Sequence, residues 1–169
     1  MKISINVIAM LIGVIALIAL IDALLGYFGH FLALTGLSLS VLGLDVDHLS
    51  LKSVVGSLFS LLAIVMGVPP KESMSVGSLM GTKMVINEFV AYSDLSPMIA
   101  KGILSAKSVV IASFALCGFA NFSSVAIQLG GIGAIAPNRK ADLARLGLKA
   151  MICGTMASYI SASLAGILL

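Results

Sequence analysis

Charged side chains are scarce in this chain, making up 10% of its 169 residues. A water-soluble domain carries about 25%. With 60% hydrophobic residues and a mean hydropathy of +1.17, a solvated globule is excluded and the expected solvent is a lipid bilayer. The positive excess is small, +3, and no basic face with polar or aromatic partners accompanies it, which excludes a nucleic-acid footprint. Only two cysteines are present, Cys117 and Cys153, both in apolar segments far from a histidine. They support neither a zinc site nor a disulfide framework and are expected to be small buried fillers. His30 and His48 lack carboxylates or cysteines at ligand spacing and read as solvated loop residues, so no metal site is expected in this chain. Tryptophan is absent, leaving Tyr27, Phe28 and Phe31 as the nearest thing to an interfacial aromatic belt. Ser123 and Ser124 have no neighbouring His to activate them, and no other nucleophile–base pair or metal set is visible. The chain therefore reads as no enzyme, and no cofactor is expected.

What is present is a series of apolar segments. Ile5 to Phe28 is long enough to cross the hydrocarbon, interrupted only by Asp22 near its far end, where the membrane interface is expected. The apolar run exceeds the ~7–15 residues of a signal h-region and closes without a small-residue cleavage site, so it is expected to remain as a span. Residues 29–50 form a connector with an acidic patch, Asp45-Val-Asp47-His48. Leu49 to Met66 is short and studded with Lys52, Ser53, Ser57 and Ser60, which suits a helix at the interface or packed across the bundle. Gly67-Val-Pro-Pro70 ends it. The expected fold is an all-α integral membrane protein, with a scaffold span and outer connector over 1–48 and a transport-type repeat over 49–169.

Within that repeat two segments are too short or too interrupted for plain spans. Residues 71–92 read as a re-entrant hairpin with its turn at Gly81-Thr-Lys83, and Gly77 and Gly81 permit close helix packing. Ser93 to Pro97 reads as a loop. Residues 98–136 read as a broken helix, its first half running to about Cys117 and its second starting at about Phe122. A last transmembrane helix over 142–168 is capped by Asp142. Arg139, Lys140, Arg145 and Lys149 place the loop 138–149 in the cytoplasm by the positive-inside rule. Lys2 is then also inside, the acidic patch outside, and the chain is multi-pass in the cell's inner (plasma) membrane.

The chemistry sits in the two interrupted segments. Glu88 is a carboxylate inside the apolar stretch Met84-Val-Ile-Asn-Glu-Phe-Val-Ala-Tyr92. An ionisable group in hydrocarbon costs at least ~2.5 kcal/mol and marks a functional site by default. Asn121 and Ser124, three residues apart in the other segment, can share a helix face. Discontinuous helices carrying polar residues at mid-depth point to a transporter substrate site. A carboxylate with an amide and a hydroxyl suits a neutral, hydroxyl-rich ligand such as a sugar. The competing reading is that Glu88, Asn87 and Lys83 satisfy one another, in a membrane subunit whose polar cluster only stabilises helix packing. Met66, Met74, Met80 and Met84 read as packing residues rather than metal ligands.

At these clusters the chain resembles the concentrative nucleoside transporter family. The matching stretches are Gly77-Ser-Leu-Met-Gly-Thr-Lys-Met-Val-Ile-Asn-Glu-Phe-Val-Ala-Tyr92 and Ala115-Leu-Cys-Gly-Phe-Ala-Asn-Phe-Ser-Ser124, continuing through Gln128-Leu-Gly-Gly-Ile-Gly133 to Ala136-Pro-Asn-Arg139. The resemblance implies that Glu88, Asn121 and Ser124 bind the ribose of a nucleoside and that Phe119 lines the pocket, with Asn87, Lys83 and Thr82 in support. It also implies cation coupling (sodium or proton), an elevator motion, and a homotrimer whose contacts include the first helix. The match covers the family's second inverted repeat. Base-reading residues and the coupling-ion site are expected mainly in a missing N-terminal half, a partner this chain would need. Asp22 stands where the family usually has asparagine, and Pro70 where an aromatic is common.

Overall fold

The computed structural model describes residues 2–35 and 49–169, and all regular structure in them is helical. The order is α1 (Lys2–Leu34), α2 (Leu51–Val65), α3 (Pro70–Val85), α4 (Glu88–Ala100), α5 (Ala106–Leu116), α6 (Phe122–Ile135), a 3-10 turn (Pro137–Arg139) and α7 (Lys140–Leu168). The acidic patch at 45–48, most of the connector and the side chain of Lys2 lie outside the described residues. Ser4–Leu34 and Pro137–Leu168 are long and apolar enough to cross a membrane.

Helix α1 runs past the expected span and leaves most of its Ile and Leu side chains exposed, as it does Tyr27, Phe28 and Phe31. Its main contact with the remainder is a line along α6, where Gly130 approaches the backbone of Asn6 and Val7. Asp22 is more than a boundary residue. It is half-buried, and its Oδ1 accepts the Leu51 amide at 2.7 Å. That amide is one of the donors a helix start leaves unpaired, so Asp22 ties α2 to α1; an asparagine there would present the same acceptor. Ser50 completes the start with a capping box to Ser53. Asp22→Ala is expected to cost about 1 kcal/mol and to speed hydrogen exchange at Leu51 about fivefold; unchanged exchange there would dismiss the tether.

The core lies between α2, α3, α5 and α7, around Phe59, Ala63, Val76, Leu79, Ile111 and Leu116. Lipid is as apolar as leucine, so such a core is held by close packing and hydrogen bonds rather than by exclusion of water. The α2–α3 pair is the tightest part. A Cβ on Gly77 would lie 2.5 Å from the Gly56 carbonyl oxygen and the Ser60 amide, and one on Gly81 would lie 2.8 Å from the Gly56 nitrogen and the Lys52 oxygen. Met66, Met80 and Met84 fill this interior, whereas Met74 is exposed.

Four expectations are corrected. Gly81-Thr-Lys83 is no turn: α3 continues through it to Val85, because Gly81 serves backbone contact with α2 and the chain breaks only at Ile86–Asn87. Ser93 to Pro97 is no loop. Pro97 withholds one amide, yet α4 continues past it to Ala100 and closes through Lys101, with Gly102 at φ 64°. Residues 98–100 therefore belong to α4, and the next helix starts at Ala106 behind a Ser105 cap. The last helix starts at Lys140 with no side-chain cap; Asp142 sits in its first turn, paired with Arg139 at 2.6 Å and Arg145 at 3.8 Å. Cys117 and Cys153 are both exposed, because in this chain an apolar neighbourhood in sequence also describes outward-facing helix surface.

Candidate functional site

Two chain breaks create the site, and an asparagine caps the helix after each. Asn87 and Asn121 both have extended backbone, φ −170° and −151°, which stops the preceding segment and aims the side chain back along the new helix. Asn87 Oδ1 accepts the Val90 amide at 3.0 Å, opening α4. Asn121 Oδ1 accepts the Ser124 amide at 2.7 Å, while the Asn121 amide donates to Ser124 Oγ at 3.1 Å, a reciprocal cap opening α6. Asparagine is among the best residues for this position because its carbonyl takes an amide the helix leaves unpaired.

Glu88 is the first residue of α4, and its Oε2 accepts a hydrogen bond from Asn121 Nδ2 at 2.9 Å. The carboxylate thus lies at the start of its own helix and against the cap of α6. Both helices present their positive ends there, where a negative charge is favoured. Asn121 is fully buried and Glu88 half-buried. Oε1 of Glu88 accepts nothing from the described residues, so one carboxylate oxygen is available at the edge of the break. Ser124 spends its proton on the Asn121 carbonyl at 2.7 Å and is buried.

The three residues expected to act together, Glu88, Asn121 and Ser124, form one hydrogen-bonded chain. Phe119 is 57% exposed and joins Gly118, Ser124, Gln128, Met151 and Gly154 in lining an apolar groove of about 490 Å³ between α6 and α7. The supporting residues divide. Asn87 holds the start of α4. Thr82 is fully buried and donates to the Ser78 carbonyl of its own helix at 3.0 Å, away from the carboxylate. Lys83 is fully buried too, its Nζ 5.7 Å from the centre of the Tyr159 ring and without a hydrogen-bond partner among the described residues.

Sequence reading missed the α7 side of this region. Thr155 Oγ1 and Tyr159 OH are likewise buried without partners among the described residues, and Tyr159 meets Phe59 edge to face at 5.8 Å. Their spacing of four, which puts both on one face of α7, was the available signal. Tyr92 was also missed as a tie: its hydroxyl donates to the Ser113 carbonyl at 2.7 Å, linking α4 to the end of α5.

A carboxylate held where interrupted helices meet, in an all-helical and strongly apolar chain, is the arrangement of a membrane protein with a polar site at its helix breaks. The family model for the Na+ dependent nucleoside transporter C-terminus matches residues 1–166. The chain belongs to this family and corresponds to the C-terminal part of a concentrative nucleoside transporter. Among its relatives, the putative nucleoside permease NupX of Escherichia coli is 48% identical over 71% of this chain and 29% of its own length. The nucleoside permease NupC of Helicobacter pylori is 42% identical over 72% of this chain and 30% of its own length. The chain thus spans about three-tenths of the length of these two relatives. Among solved structures, a doubly substituted CNTnw in an outward-facing state superposes with a TM-score of 0.85 at 42% identity, covering 99% of this chain and 39% of that one. CNTnw in an inward-facing substrate-bound state gives 0.71 at 43% identity, with 98% and 38% covered.

Proposed function

We propose that this chain is the ribose-binding part of a cation-coupled nucleoside transporter, driven by sodium or protons, and that it works with an N-terminal part lying outside it. The observation that carries this reading is the bond from Asn121 Nδ2 to Glu88 Oε2 at 2.9 Å, which leaves Oε1 open at a helix break. A sugar carries adjacent hydroxyl donors and no charge. It can donate to Oε1 and receive the second Nδ2 proton of Asn121 without meeting repulsion from the carboxylate. Phe119, exposed beside the break, would give the ligand an apolar wall.

The helix lengths support the membrane reading. At 1.5 Å per residue, α3 and α4 reach only about 24 and 20 Å, short of the ~30 Å hydrocarbon. They suit a re-entrant hairpin with its tip at Ile86–Asn87, and α5 and α6 suit one helix broken at 117–121. Irregular backbone at that depth needs protein or a watery cavity around it, a role for the remainder of the transporter. That remainder would also carry the coupling-ion site and the base-reading residues. Helix α1, apolar and exposed, suits the scaffold and the homotrimer contact, and the loop 138–149 faces the cytoplasm at the inner (plasma) membrane. An elevator motion, as the family resemblance implies, would carry this site between the two sides of the membrane.

Asn121→Asp tests the reading. Aspartate caps a helix as well as asparagine, so α6 keeps its start, but Glu88 loses its donor and gains a like charge. Nucleoside is expected to raise the unfolding midpoint of the wild-type assembly and not that of the variant. A midpoint raised equally in both would leave the polar cluster with a packing role only.

A further inference from the structure

The charge at the site is not Glu88 alone. Between Ser73 and Ala100 the charged residues are Lys83, Glu88 and Asp94, and between Ser108 and Ala136 there are none. Asp94 is paired with Lys52 of α2 at 3.2 Å. Lys83 and Glu88 remain, one in the last turn of α3 and the other in the first turn of α4. Both reach the same break in the neighbouring segment. Lys83 Nζ lies 3.7 Å from the point a Cβ on Gly118 would occupy, and Glu88 bonds Asn121 three residues on.

A fully buried ammonium without a hydrogen bond is costly unless opposite charge lies near. The Tyr159 ring face offers a partial negative charge at 5.7 Å, and the carbonyl end of α3, in whose last turn it sits, favours a cation. The Glu88 carboxylate, across the Ile86–Asn87 break, adds a favourable through-space interaction with the ammonium.

We propose that Lys83 is the fixed counter-charge of Glu88, so that the two charges at this helix break cancel and the empty site crosses the membrane field without dragging a net charge of its own. This rests on the transport reading above. A neutral nucleoside leaves the balance intact, so loaded and empty forms feel the field alike on account of this pair. An arginine at 83 would preserve the balance; a methionine would leave one negative charge to cross.

The test uses the transporter assembled from this chain and its N-terminal part, in vesicles with a clamped membrane potential, comparing wild type, Lys83→Arg and Lys83→Met. Wild type and Lys83→Arg are expected to share one voltage dependence of net nucleoside uptake. Lys83→Met should add up to one charge, shifting the two facing states of the empty carrier by as much as about fifty-fold per 100 mV beyond wild type. Because Lys83→Met alone could fail to fold, the unfolding midpoints of Lys83→Met, Glu88→Gln and the double variant are measured in parallel. The double variant should unfold at a higher temperature than Lys83→Met, since it leaves neither charge orphaned. Additive losses, or an unchanged voltage slope in an active Lys83→Met, overturn the inference. Absence of nucleoside uptake by the wild-type assembly, with the coupling in unfolding intact, overturns the transport reading and the neutral-carrier role together.

Discussion

Glu88→Gln is expected to weaken nucleoside binding by the assembled transporter about a hundredfold, while the region around it keeps its shape. Glutamine retains a carbonyl oxygen for Asn121 Nδ2, which now donates to Glu88 at 2.9 Å, so the link between α4 and α6 survives. What is lost is the charge on the oxygens facing the ligand. A hydrogen bond to a charged acceptor contributes about 1.5–3 kcal/mol, and about 2.7 kcal/mol corresponds to a hundredfold in the dissociation constant. Glu72→Gln is the matched control. Glu72 bonds the Ser105 amide at 2.9 Å and its hydroxyl at 3.0 Å, at the other end of α3. It fastens the start of α3 to the start of α5 and is expected to change nucleoside affinity less than about threefold, consistent with a shift under 1 kcal/mol. Calorimetric titration with a nucleoside checks both, and equal affinities of wild type and Glu88→Gln would remove Glu88 from the ligand.

The second large effect is structural. Gly77→Ala should destabilise the protein by about 3 kcal/mol or more, because the new methyl would meet backbone atoms of Gly56 and Ser60 at 2.5 Å. Overpacking costs ~1–3 kcal/mol when side chains can adjust. Here the obstacle is main chain, so α2 has to lift away from α3, and the core around Phe59 and Ala63 opens with it. Gly13→Ala is the contrast. Nothing lies within 4 Å of its added carbon, and alanine suits a helix better than glycine by about 1 kcal/mol. Thermal unfolding in detergent should show a large fall for the first and no fall for the second. Similar midpoints for the two would mean the α2–α3 backbones do not touch in the folded protein.

The polar residues of the candidate site were legible in the sequence because intramembrane polarity is rare. Against apolar neighbours, Glu88, Asn121 and Ser124 stood out as candidates before any contact was known. The chain break at 117–121 was legible for a related reason: Gly118 and the polar run that follows interrupt a pattern too long for one span. The turn between α3 and α4 was misplaced because a glycine in an apolar segment has two meanings, turn or close approach. Nothing local to Gly81 distinguishes them; the partner helix α2 does. Pro97 misled for a comparable reason, since a proline near a helix end costs one hydrogen bond without stopping the chain.

Ser124 illustrates how one side chain can carry two roles. Its spacing from Asn121 suggested a shared ligand-facing side, yet the two also form the cap that starts α6. One pair of side chains therefore shapes the break and lines it, and a substitution there changes fold and site at once. Asn121→Asp separates the two because it keeps the cap and removes the donor.

Composition and pattern alone were enough for the solvent, the helical class and the few polar residues worth attention, and the family followed from the resemblance of two motif stretches, because each of these depends on local chemistry read along the chain. Which helix ends face one another could not be read that way. The meeting of Glu88 with the α6 cap, the seating of Lys83 near Gly118 and beside Tyr159, and the backbone contact at Gly77 all join residues distant in sequence. They are settled by how rigid helices pack, and in an apolar chain many packings share the same hydrophobic pattern. Shape at the small residues and the pairing of buried polar groups select one among them.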